Sequence, residues 1–143
     1  MSLDCPHYNQ GLSKDDVECY LRKMRKCVES GSFTIALGRS REKNRQFIAD
    51  YNLDDKKIRN ILLDIKTDDF CHTLNNTKPG YEHEVLYVFA PKKDLIDAGG
   101  EKNSVTIYTK FNLITINDGS TLAVISLHEA ERNIEYAFTG RTD

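Results

Sequence analysis

With 143 residues, the chain suits one domain that can bury a core without disulfides or metals. Its 20 Lys and Arg against 22 Asp and Glu, a formal charge of −2, exclude the strongly basic surface of a general polyanion binder. No run nears the roughly 18 apolar residues of a membrane helix, and "MSLDCPHYNQ" lacks the apolar core of a signal peptide, so a cytoplasmic protein without a membrane partner is expected.

Residues 1–13 read as a lead-in to a single domain over 14–143. Cys5 and His7 in the lead-in have no second ligand pair at finger spacing, so no metal or other cofactor is expected, and the four cysteines read as structural thiols. Ser13 can cap a first helix with Asp16 three residues on; Val17, Tyr20 or Leu21, Met24 and Cys27 or Val28 form its apolar stripe, and Gly31 stops it. "SFTIAL" (32–37) is short and β-branched, which suits a strand. Ser40 can open a second helix carrying Phe47, Ile48 and Tyr51, and "DDKKIRNILLDI" (54–65) is a third with Ile58, Ile61, Leu62 and Ile65 on one face. "KTDDFCHTL" (66–74) is expected to open a helix at Thr67, with Asp68 and Asp69 as partners of its dipole.

Beyond "NNTKPG" the apolar period drops to two. "HEVLYVFA" (83–90), "SVTIYTKFNLITI" (104–116) and "TLAVISLH" (121–128) read as strands, "PKKDLIDAGGEKN" (91–103) as a long loop, and "NIEYAF" (133–138) as a fourth strand or a helical tail. Helices followed by a run of strands give an α+β domain, with the N-terminal helices packed on an antiparallel sheet.

The register of the last hairpin decides what its faces carry. "NDG" (117–119) suits a three-residue loop that pairs Ile116 with Ser120. Tyr108 then faces His128, and Lys110 faces Ser126 on the same side, while Phe111 and Ile125, Leu113 and Ala123, and Thr109 and Leu127 share the other. A slip that set Lys110 opposite Leu127 and Phe111 opposite Ser126 would mix polar and apolar groups on both faces. Tyr108, Lys110, Ser126 and His128 therefore gather on one polar face. Metal-free RNA cleavage needs such groups: a base for the ribose 2′-OH, an acid for the departing 5′ oxygen, and cations for the phosphate.

Several pieces in this order and spacing resemble the motility quorum-sensing regulator (MqsR-like) toxins, mRNA interferases of the RelE-like superfamily: "SGSFTIALGRS", "YNLDDKKIRNILLDI", "DDF", "VTIYTK" and "AVISLHE". The resemblance runs from about Tyr20 to Glu129, apart from the loop 91–103. It implies a RelE-like fold and a toxin that cleaves mRNA and is silenced by a cognate antitoxin protein. The family's strand tyrosine and lysine match Tyr108 and Lys110. Its lysine after the "DF" signature falls at His72 and its lysine near the chain end at His128. Its glutamine on the first sheet strand falls at His83, or at Glu84 if Tyr87 sets the register. His72 and His128 are then expected to exchange protons with the substrate. Arg39 and Arg41, in the basic run with Lys43 and Arg45, join Lys110 as phosphate contacts that partly offset the neutral overall charge. The alternative is a RelE-like module without catalysis that holds a partner protein or regulates transcription.

Overall fold

The computed structural model describes residues 12–116 and 119–138; Cys5 and His7 lie outside them. Helix α1 (Lys14–Ser30) begins with the reciprocal bonds expected of Ser13 and Asp16, the hydroxyl accepting from the Asp16 N–H at 3.1 Å and the carboxylate from the Ser13 N–H at 2.9 Å. It ends at Gly31, whose φ of 79° only glycine adopts without strain. Strand β1 (Phe33–Ile35) follows, then α2 (Glu42–Asp50) and α3 (Asp55–Leu63). The second helix is not capped by Ser40: Arg41 holds the N-cap position without a side-chain bond. Asp54 caps α3 by accepting from the Lys57 N–H at 2.8 Å.

The expected helix at 66–74 does not form. Thr67–Asp69 make one 3₁₀ turn, closed by the Asp69 carboxylate on the Lys66 N–H at 2.9 Å, and the chain then enters strand β2 (Phe70–Asn75). Phe70 and Leu74, four apart, imitate a helix stripe, but one extra residue in the strand breaks its alternation of two. Strands β3 (Val85–Phe89), β4 (Lys92–Ile96), β5 (Lys102–Ile116) and β6 (Gly119–Glu129) complete the elements. Much of the expected loop 91–103 is β4, missed because only Leu95 of its five residues is buried. A turn at 97–101 joins it to β5, with the Asp97 carboxylate accepting from the Gly99 and Glu101 N–H groups, both at 2.9 Å. Those backbone donors hold the Asp97 carboxyl below its ordinary range. Residues 133–138 form neither a fourth strand nor a helix.

The sheet runs β1-β6-β5-β3-β2, with β4 beside β3 on the same edge of β5. It is mixed, not purely antiparallel, because β1 pairs with β6 in parallel. The three helices cover one face. Val17, Tyr20, Leu21 and Met24 of α1, Phe47 of α2, and Ile58, Ile61 and Leu62 of α3 enclose Tyr87, Phe89, Phe111, Leu122, Val124 and Leu127 of the sheet. At its centre the Tyr20 and Tyr87 rings stack with centroids 3.7 Å apart. No helix is long and apolar enough to cross a membrane among the described residues.

Candidate functional site

The face turned away from the helices carries the predicted polar group. Tyr108 lies opposite His128 and Lys110 opposite Ser126, as the expected register requires. The route to that register differs from the expectation. Ile116 pairs with Gly119 rather than Ser120, Phe111 with Val124 rather than Ile125, and Leu113 with Leu122 rather than Ala123. A β-bulge at Ile125 then moves the pairing on by one, so that β6 buries Leu122 and Val124 before the bulge and Leu127 after it.

Strand β2 has the same device. Phe70 pairs with Phe89, Cys71 is the extra residue, and His72 pairs with Val88. Without the bulge, His72 would share the core side with Phe70. Each histidine thus reaches the face away from the helices through an upstream bulge, one residue before His72 and three before His128. The bulges also show what the sheet favours: the hydrophobic side chains stay inside only if one residue is skipped in each strand.

The open face has a defined order. Across it, His72, Val88, Lys110 and Ser126 form one continuous rung over β2, β3, β5 and β6. The Tyr108 and His128 rings stack beside it with centroids 5.3 Å apart and planes at 23°. At a strand spacing of about 4.8 Å, the His72 backbone is about 10 Å from that of Lys110 and about 14 Å from β6. His72 therefore sits on the far edge strand of the same sheet, three strands from β6, rather than on the helix expected over 66–74. His83 lies in the turn before β3, exposed and off the sheet. Glu84, the other candidate for that position, accepts from Asn112 Nδ2 at 3.1 Å and Asn76 Nδ2 at 3.0 Å.

The electrostatics follow from partial burial. Desolvation holds the Tyr108 phenol above its ordinary range, helped by the charge interaction with the nearby Cys71. Tyr108 is therefore a neutral O–H donor near pH 7. Desolvation and the charge of Arg41 both hold Lys110 below the usual lysine value. Arg39 lies in the exposed turn before Arg41. Desolvation also lowers His72, which favours its neutral form. His128 Nδ1 lies 2.9 Å from the Glu129 carbonyl oxygen. A carbonyl only accepts, so Nδ1 carries the proton and Nε2 is left to exchange one.

Two surfaces frame this group. The segment 134–138 covers the β2–β3 part of the face, where Tyr136 donates its O–H to the Ala90 carbonyl at 2.6 Å and packs with Cys71 and Val88, and Tyr108 packs against the same cluster. At the other end His128 borders a cleft of about 250 Å³ with Lys43, Phe47 and Asp50. Lys43 and Glu131 close its rim with an ion pair of 2.6 Å. Among the described residues, no three His, Cys, Asp or Glu side chains gather as a metal site.

Sequence reasoning missed Asn44. This residue of α2 is 1% exposed. Its Nδ2 donates to the Ala36 and Ile125 carbonyls and its Oδ1 accepts from the Leu127 N–H, all three at 2.9 Å. The available signal was its position three and four residues before Phe47 and Ile48, a polar side chain on the apolar stripe.

Set against protein-family models, curated proteins and solved structures, the chain matches none of them.

Proposed function

We propose that this protein is a RelE-like endoribonuclease toxin that cleaves single-stranded mRNA without a metal, and that a cognate antitoxin protein silences it. The observation that carries the reading is the stacked Tyr108 and His128 pair on the sheet face turned away from the helices, with Lys110 on the same face of β5. In this reading His128 Nε2 takes the proton of a ribose 2′-OH, whose oxygen attacks the adjacent phosphorus. The Tyr108 O–H protonates the departing 5′ oxygen. Lys110 and Arg41 stabilise the charge that grows on the phosphate oxygens. The products carry a 2′,3′-cyclic phosphate and a 5′-OH. His72 and Arg39 act further along the strand, each on a neighbouring phosphate. The departure from the family's lysines leaves less fixed positive charge, so cleavage should depend strongly on salt and pH.

The test is incubation of the purified protein with mixed-sequence RNA in EDTA. Cleavage with cyclic-phosphate ends is expected, and His128→Ala should slow it by about 10²–10⁴-fold, the usual contribution of a general base. Cleavage that disappears in EDTA overturns the metal-free mechanism. A second reading, a RelE-like module that binds a partner without cutting, is favoured by the separation of the two histidines. RNA that survives intact, together with unimpaired growth on expression, would select it.

A further inference from the structure

We propose that Asn44 is a positioning residue for the Tyr108 and His128 pair, its side-chain amide taking the place of a strand residue alongside the bulged stretch of β6.

The geometry is that of a parallel ladder continued by a side chain. In such a ladder, one residue donates to the carbonyl of residue i−1 and accepts from the N–H of residue i+1 on its neighbour. Strand β1 supplies these bonds as far as Ala36, whose N–H donates to the Val124 carbonyl at 2.9 Å. There β1 ends. The next two groups on that edge of β6 are the Ile125 carbonyl and the Leu127 N–H, which flank Ser126. Both are taken by the one amide of Asn44, which also donates its second N–H to the Ala36 carbonyl. A CONH₂ group has the same donor and acceptor as a peptide unit, so it can fill one position of the missing strand.

That position is where the ladder is weakest. Ile125 is the bulged residue, so its side of the β5 pairing is already irregular, and Leu127 is fully buried with no water to replace a lost partner. The stretch 126–128 bears Ser126 and His128, so what fixes this backbone fixes the imidazole against the phenol. The inference rests on the reading of that pair as a reaction centre. Its structural half can nevertheless be measured without RNA.

The experiment uses three forms of the full chain: Asn44→Ala, deletion of Ile125, and both together. Removing the bulged residue makes the hairpin regular and keeps Tyr108 opposite His128, which removes the need for the amide. By NMR, Asn44→Ala should lose the contact between the Tyr108 and His128 rings, and its Leu127 amide should exchange at least about tenfold faster. The double variant should regain both the contact and the protection. In RNA cleavage, Asn44→Ala should lower kcat with little change in KM, since Lys110 and Arg41 still hold the phosphate, and the double variant should recover kcat. An Asn44→Ala protein that keeps the ring contact and the Leu127 protection overturns the proposal. So does a double variant that recovers neither, including the case where Asn44→Ala alone fails to fold. If the unaltered protein cuts no RNA, the functional reading fails while the NMR result still decides the role of Asn44.

Discussion

The two bulged strands, β2 and β6, solve the same problem with different fastenings. In β2 the free Phe70 carbonyl accepts from the Ala137 N–H of the C-terminal segment at 3.0 Å, at the sheet's edge. In β6 the groups beside the bulge are held by a buried side chain at the end of a parallel pairing. An edge carbonyl can turn to water when its partner leaves; a buried N–H cannot. The difference teaches where rigidity has been placed. His128 stands on the strand with the buried fastening and stacks on a phenol, whereas His72 stands on the strand that can relax.

The strongest break in that comparison is chemical. On the proposed function, His72→Ala should slow RNA cleavage by no more than about tenfold, far less than the effect of His128→Ala, because His72 meets only a neighbouring phosphate. Equal losses from both variants would mean that β2 moves inward on binding RNA. Stability gives the next contrast, read by urea denaturation. Asn44→Ala should cost about 2–4 kcal/mol, since three carbonyl or N–H groups lose partners at about 1–3 kcal/mol each and such losses do not simply add. Ala137→Pro, which deletes the donor at the β2 bulge, should cost about 1 kcal/mol.

A smaller effect is visible in pH. The folded chain holds the His72 pKa below its unfolded value, so the unfolded state binds more protons as pH falls through about 6.5, and stability declines on that side. It is fully present above that value. His72→Gln should remove this part of the acid sensitivity, as shown by the dependence of the urea midpoint on pH. The smallest effect concerns Lys110. Arg41→Gln should let its pKa rise towards the ordinary lysine range, measured by NMR titration of the side chain, with desolvation still holding it below.

The sequence shows the helices and strands whose apolar pattern survives intact: the cap at Ser13, the stripe from Val17 to Val28 and the continuous apolar run from Val85 to Phe89 all stand in the structure. It also puts Tyr108 and His128 on one rung. Two bulges hide much of the rest. A bulge spoils the period of two, so the spacing of β2 reads as a helix, and a regular hairpin counted through β6 sets Ser120 rather than Gly119 opposite Ile116. The short β4 buries too little to leave a pattern, and β1 is legible as a strand while its parallel pairing with β6 is not. The distance from His72 to His128 depends on strand order, which local spacing does not encode.

The Asn44 fastening joins points 81 residues apart in the chain. Contacts of such separation form late, after the entropy of closing a long loop has been met. During synthesis α1, α2 and α3 leave the ribosome well before β6, so the imidazole and the phenol meet only when the last strand has been made and docked. A chain broken off before residue 119 lacks both His128 and the strand against which α1 and α2 pack, so the stacked rings belong to the complete fold alone.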